Sequence, residues 1–422
     1  MSQPMKFDFK LLFYLLLIPL TSACEQQSSG SYTQEKMGPA TDTLRIETLR
    51  KASIQNGFVS VGALQSKTDS AKRSIGGKLF ASKTLSLNGN ISCQDCHLDK
   101  FGSVDGLPNA VGAGASGEGG ARMASGGQII PRNVLPLWGR GGPNFDTFFW
   151  DGKVQSENGV VVSQFGDFAP SSDPLVVAVH LPFVELREMI ADTPEVRKDL
   201  VTEDVGSAEV VFNTLAGRVR QDPDLGIQLA KAYQKPLENL TFSEIGDAVA
   251  QFIRHNFRVK KTKLHRFVFE NGPITQNELN GGITFYGRGR CASCHNGPYF
   301  SDFDFHSIPF PQLGFGKNGF GNDEGRYNVT FNPSDRFLFR TPPLYNATKT
   351  SPYGHSGSLR TLDEAIVAHF DPLRVANFQK MSIQERSNFY RRMKAAPEDT
   401  VPTTLSDTEV KELVAFISML DF

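Results

Sequence analysis

Several things are scarce in this 422-residue chain, and each scarcity removes a class of reading. The formal net charge is −1, so the electrostatic footing for nucleic-acid binding is missing. Beyond Leu20 no apolar run is long enough to cross a bilayer. Alternating β-branched runs are rare, which argues against a sheet architecture. Tryptophan occurs twice and cysteine five times, and no histidine lies between His97 and His180. What remains is ordinary: 39 % hydrophobic and 21 % charged residues describe a globular protein with length for two or three domains. Glycine (39) and proline (24) are plentiful and, with the missing β pattern, point to a mainly helical, loop-rich fold. Phenylalanine (33) suits packing around large planar groups, and equally a plain aromatic core.

The N-terminus reads as a targeting signal. Lys6 and Lys10 precede "LLFYLLLIPL" (Leu11 to Leu20), the length of a signal h-region rather than a span. "LTSAC" resembles a bacterial lipobox, with Thr21 where leucine is usual. Residues 1–23 are therefore expected to be a lipoprotein-type signal peptide, with Cys24 acylated and the polar stretch 24–50 a flexible tether. This implies a periplasmic protein that touches the membrane only through a lipid anchor.

The other four cysteines fall into two matching groups, "CQDCH" (Cys93, Cys96, His97) and "CASCH" (Cys291, Cys294, His295). C-x-x-C-H is the attachment pattern of c-type haem. Two thiols one turn apart each form a thioether to a haem vinyl group, and the next residue reaches the iron from the same side. A redox dithiol or a four-cysteine zinc site would not require histidine at the same offset twice. The pattern therefore predicts two covalently bound haem c groups.

The motifs lie roughly 200 residues apart, so each is expected to centre its own domain, 51–262 and 263–422. The fold expected is mainly α: two cytochrome c-like haem domains with long loops and little β. Helical periodicity marks Ser243 to Phe257, with Ile245, Val249, Phe252 and Ile253 on one face. Thr275-x-x-Glu278, Thr361-x-x-Glu364 and Ser406-x-x-Glu409 each match a capping box. Gly106 to Gln128 reads as a Gly-rich loop, functional or mobile.

From about Gly76 onward the chain resembles the bacterial dihaem cytochrome c peroxidases, a family that includes MauG-type enzymes. The pieces that carry the likeness are "LFASKTLSLNGNISCQDCH", "PRNVLPLW", "FFWDGK", "REM", "CASCHNGPYFSD", "DEGR" and "FRTPPLYNATKTSPYGHSGSLRTLDEAI". The resemblance implies that the N-terminal haem meets hydrogen peroxide and the C-terminal haem receives electrons from a small cytochrome c or cupredoxin. It makes His97 and His295 the proximal ligands, Trp150 the inter-haem relay and Glu188 the acid over the peroxidatic haem, with Glu185 as a rival alignment. It places a Ca²⁺ at Asn133, Thr350 and Pro352, near the domain interface, and is compatible with a homodimer. A MauG-type oxidase acting on residues of a partner protein is the alternative activity.

Two departures stand out. Many members carry a methionine ligand fourteen residues after the histidine of the "PYxH" segment; here that position is His369, on the apolar face of Leu362, Ala365 and Ile366. Imidazole in place of thioether lowers a haem's reduction potential. Many members also hold a removable histidine over the peroxidatic haem, and this sequence has none in that loop. An open or water-bound sixth position is expected there, with Met123 and His180 as substitute ligands of lower standing. A smaller departure is Tyr345, where arginine is commoner.

Overall fold

Side-chain caps start most of the helices that frame the site. In the computed structural model, which describes residues 39–194, 205–396 and 404–422, helix α1 spans Pro39–Gln55 and α2 Ser70–Ala81. The Asp69 carboxylate caps α2 by accepting from the backbone of Ala71 (2.8 Å) and Lys72 (2.9 Å). Short helices α3 (Gly120–Ala124) and α4 (Pro174–His180) follow, then α5 (Val205–Gln221) and α6 (Phe242–Asn256). The second half contributes α7 (Lys263–Glu270), α8 (Gln276–Tyr286), α9 (Leu362–Ala368), α10 (Ile383–Ala395) and α11 (Asp407–Ser418). The expected capping boxes at Thr275/Glu278, Thr361/Glu364 and Ser406/Glu409 are all formed, and Thr241/Glu244 adds another ahead of α6.

The two halves repeat one packing device. Ahead of each C-x-x-C-H motif a helix carries G-G-x-x-F: Gly76, Gly77 and Phe80 on α2, Gly281, Gly282 and Phe285 on α8. A Cβ on Gly76 would lie 1.8 Å from the Ala248 carbonyl oxygen of α6, and one on Gly281 would lie 1.9 Å from that of Glu412 on α11. Only a glycine lets these helix pairs approach so closely. The aromatic then seals the contact, Phe80 against Phe252 (5.1 Å) and Phe285 against Phe416 (5.2 Å). This glycine repeat is visible in the sequence but was not part of the expectation.

Strand is confined to small ribbons. β1 (Thr147–Phe148), β2 (Val154–Glu157) and β3 (Val160–Ser163) form an antiparallel meander, the largest part of the little β structure expected. Its signal was present: Asn158-Gly159 turns with positive φ at both residues (53° and 81°), the pair a tight hairpin demands. The meander holds Phe149, Trp150 and Asp151 between β1 and β2. Further two-stranded ribbons pair β4 (Phe305–His306) with β7 (Phe339–Arg340), and β5 (Phe315–Gly316) with β6 (Gly319–Phe320).

Thr43–Phe422 is one compact unit. The signal peptide, Cys24 and most of the tether lie outside the described residues. The last part of the stretch expected to be a tether, from residue 39 to 50, instead belongs to helix α1, which buries Leu49 completely. Arg45 donates to Asn280 (2.6 Å) and Arg50 to the Phe267 carbonyl (3.1 Å), tying this helix to the second half. Phe58 also packs on His265 (4.7 Å) and Phe300 (5.5 Å), so the start of the 51–262 segment rests on the 263–422 segment. The Gly-rich stretch is more ordered than a plain loop: it contains α3 and buries Arg122. A buried ion cluster crosses the chain, Arg132 donating to Asp151 at 2.6 Å and bidentately to Asp323 at 2.8 and 2.9 Å. Among the described residues no helix is long and apolar enough to cross a membrane.

Replacing Gly281 with valine should wedge α8 from α11. Overpacking of this kind costs about 1–3 kcal/mol, and a lowered denaturation midpoint of the haem-loaded protein measures it; an unchanged midpoint would contradict the close-packed helix pair.

Candidate functional site

The first C-x-x-C-H loop begins with a tight turn, Cys93–Asp95, whose Asp95 carboxylate accepts from the Ser92 backbone at 2.8 Å. The His97 amide donates to the Cys93 carbonyl (3.0 Å), folding the imidazole back beside the two sulfurs. His97 Nδ1 lies 2.8 Å from the Ser103 carbonyl oxygen. A carbonyl only accepts, so Nδ1 carries the proton and Nε2 keeps its lone pair. Burial pushes the His97 pKa down to about 4, so the ring is neutral and able to bind a metal. Cys93, Cys96 and His97 line one cavity of about 430 Å³ together with Phe80, Trp150 and Glu188.

The second loop repeats the arrangement. The His295 amide donates to Cys291 (2.8 Å), and His295 Nδ1 donates to the Phe300 carbonyl (3.0 Å). His369, which caps α9, donates from Nδ1 to the Ala365 carbonyl at 2.7 Å. Both rings line a second cavity of about 220 Å³ with Cys291 and Cys294. Their centroids are 6.3 Å apart. A metal takes each imidazole nitrogen at roughly 2 Å; adding a ring radius of about 1 Å at each end gives about 6 Å. The pair is thus spaced to hold one iron from both sides, and the motif cysteines border the same space. Both cavities therefore fit a thioether-linked porphyrin.

The first cavity is different in kind. Among the described residues lining it, His97 is the one histidine and there is no methionine. Met123 is half exposed at the surface. His180 is buried between Phe212 (5.3 Å) and Phe242 (5.2 Å), its Nδ1 bonded to the Val176 carbonyl. Neither substitute ligand reaches the cavity.

Three carboxylates do: Asp192, ion-paired with Arg187, and the two glutamates of the rival alignments. Glu185 is ion-paired with Lys153; burial raises its pKa, but Lys153 and Lys317 outweigh that and hold it ionised. Glu188 makes no ion pair among the described residues, and its pKa rises to about 7, chiefly through burial, opposed by Lys153 and reinforced by Glu185. Of the two glutamates, Glu188 is thus the one whose pKa burial brings near neutrality. The Gly-rich segment positions it. Ala113 donates to the Arg187 carbonyl (2.9 Å), and a Cβ on Gly112 would fall 1.9 Å from that oxygen.

Trp150 lines both cavities, as do Asn133, Val134 and Leu135. The indole donates to the Asn133 carbonyl (2.9 Å) and stands edge-on to His355 (6.5 Å), which stacks on Phe339 at 3.7 Å. Asn133 donates from its amide to the Pro352 carbonyl (2.7 Å), while its Oδ1 is buried with no partner. A half-turn of that amide would set Oδ1 beside the Pro352 oxygen, a cradle a hard cation suits. Thr350 lines the same cavity. Sequence reasoning missed the Lys153–Glu185 pair and two buried arginines, Arg140 and Arg340. Lys153 closes "FFWDGK", but a lysine shows its partner only in the fold.

Two thioether-ready pockets on either side of one tryptophan define a two-centre c-type redox protein, and comparison with known proteins agrees. Residues 70–271 match the family model described as di-haem cytochrome c peroxidase. The cytochrome-c peroxidase IdrP2 of Denitromonas iodatirespirans is 23 % identical, over 82 % of this chain and 80 % of that protein. The methylamine utilization protein MauG of Methylorubrum extorquens is 26 % identical, over 83 % of this chain and 78 % of that protein. The crystal structure of the diheme peroxidase BthA from Burkholderia thailandensis superposes with a TM-score of 0.60 at 19 % identity, covering 86 % of this chain and 89 % of that one. The chain is thus similar to di-haem cytochrome c peroxidases, through the family match over residues 70–271 and through relatives along most of its length.

With Glu188 titrating near 7, its proton-accepting form is lost as pH falls through that value. The rate of reaction with peroxide should drop across that range in the parent protein, and Glu188→Gln should lack this limb in stopped-flow measurements.

Proposed function

We propose that the protein is a periplasm-facing enzyme, lipid-anchored at Cys24, that reduces hydrogen peroxide to water with electrons from a small cytochrome c or cupredoxin. One haem c would be held by Cys93, Cys96 and His97 in the 51–262 segment, and a second by Cys291, Cys294, His295 and His369 in the 263–422 segment. When bound, the two irons supply the redox chemistry: two electrons and two protons convert one peroxide to two waters. The observation that carries this reading is the asymmetry of the cavities. Opposing imidazoles flank one of them, whereas the other has His97 as its one histidine among the described residues and Glu188 in its wall.

The residues of the chain divide the remaining work. Glu188 takes the proton from one peroxide oxygen and returns it to the other, so that the leaving oxygen departs as water. Lys153 holds Glu185 ionised, and that charge keeps Glu188 from ionising too early. Trp150 bridges the wall between the cavities and carries the electrons across it. Asn133, Thr350 and Pro352 would hold a calcium ion beside that wall, with Asn133 Oδ1 as the free ligand atom.

A second reading is supported by the His295/His369 pair. Two imidazoles favour a low reduction potential, which suits a MauG-type oxidase that draws electrons from residues of a partner protein. Steady turnover of peroxide with a reduced small cytochrome supports the first reading; covalent modification of a co-purified protein supports the second. Glu188→Gln should slow peroxide turnover by about 10²–10⁴-fold with both haems attached, and an unaltered rate would remove the proton-transfer role. His369→Met should raise the potential of the C-terminal haem in a spectroelectrochemical titration; no rise would show that His369 is not its ligand.

A further inference from the structure

Most cationic side chains that line the cavities already have a carboxylate. In the first cavity Arg132 is bound to Asp151 and Asp323, Lys153 to Glu185 and Arg187 to Asp192, and Lys317 lies 3.9 Å from Asp151. Arg140 is the exception: it makes no ion pair among the described residues. In the second cavity Arg290 is exposed, and the buried cation is Arg340, again without an ion pair among the described residues.

Both guanidiniums are enclosed. Arg140 is 8 % exposed and Arg340 1 %. Arg140 Nε donates to the Pro136 carbonyl (3.0 Å), which leaves both terminal nitrogens with no hydrogen bond to a described residue. Arg340 Nε donates to the Phe149 carbonyl (2.9 Å) and Nη1 to that of Thr341 (3.4 Å), which leaves Nη2. Their surroundings are aromatic: Arg140 lies 6.0 Å from the Phe148 ring centroid, and Arg340 lies 6.0 Å from that of Phe145 and 5.6 Å from that of Phe303. Burial drives both pKa values down, to about 10 for Arg140 and about 9 for Arg340; the charge of Arg140 adds to the depression of Arg340, and Asp146 and Asp302, neither ion-paired with it, only partly oppose it. Two buried like charges within reach of each other are a poor arrangement unless anions arrive.

We propose that Arg140 and Arg340 are carboxylate receptors for the two porphyrins, Arg140 taking a propionate in the first cavity and Arg340 one in the second. A porphyrin brings carboxylates on one edge, and an arginine fork with free terminal nitrogens in a water-poor pocket is matched to them. Arg340 gains a second role from its position. Its side chain holds the Phe149 carbonyl and its amide donates to that of Trp150 (2.8 Å), so the receptor for the second haem is fastened to the backbone of the tryptophan between the cavities.

The inference rests on reading both cavities as haem sites, and the test separates the two. The full-length haem-loaded protein and its Arg140→Gln and Arg340→Gln variants are titrated spectroelectrochemically at several pH values, after the covalent haem content of each is measured. Loss of a guanidinium leaves a propionate charge uncompensated and favours the ferric state. Arg140→Gln should therefore shift the N-terminal haem to lower potential and make it more pH-dependent, and Arg340→Gln should do the same to the C-terminal haem. Arg140→Lys and Arg340→Lys keep the charge but lose the fork and should shift less in the same direction; they serve where a Gln variant fails to fold. Unmoved potentials in variants that hold two haems would overturn the inference. Fewer than two covalent haems in the parent protein would instead overturn the site reading beneath it.

Discussion

The site depends on three hydrogen bonds of one kind. His97, His295 and His369 each give the Nδ1 proton to a backbone carbonyl, of Ser103, Phe300 and Ala365 respectively. Each bond fixes the tautomer and the ring plane, and so commits Nε2 to the cavity as a neutral donor. Burial reinforces this by holding the rings below their usual pKa. Two of the carbonyls belong to residues in positive φ, Ser103 at 69° and Phe300 at 55°, six residues after His97 and five after His295. The same backbone kink is thus used twice to aim an imidazole at a metal.

From that shared device the halves diverge. Helices α2 with α6 and α8 with α11 supply equivalent glycine-mediated floors, each with a phenylalanine lining its cavity. What stands opposite the motif histidine then decides the chemistry. Beside His295 the end of α9 brings a second imidazole; the cavity of His97 is lined by carboxylates instead, Glu185 paired with Lys153 and Glu188 without an ion pair among the described residues. A haem held between two imidazoles would suit electron transfer, whereas one held by His97 alone, in a cavity with an acid, would suit bond cleavage. Trp150, fixed by its indole bond to Asn133, is the structural element common to both.

Much of this was legible before any coordinates. The C-x-x-C-H motifs, the capping boxes and the helical phase of His369 are local signals: short-range geometry determines them, and the fold reproduces them. The meander holding Trp150 was equally local, written in Asn158-Gly159, but was passed over because its strands are short and only partly alternating. The part of helix α1 up to residue 50 reads as tether because its apolar anchors, Leu49 and the partly buried Ile46, stand among polar neighbours. Long-range pairings were out of reach. Which of Glu185 and Glu188 keeps a labile proton depends on Lys153, 32 residues from Glu185 in sequence, and the burial of Arg122 within a Gly-rich stretch gives no periodic signal.

The central claim is that one iron is closed by two imidazoles while the other has a position free for an oxidant. Electron paramagnetic resonance of the oxidised, haem-loaded protein tests it most directly. The account predicts two ferric signals of equal weight, one low-spin from the His295/His369 centre and one high-spin from the His97 centre. Two low-spin signals would contradict it, because an internal ligand would then occupy the place where peroxide must bind.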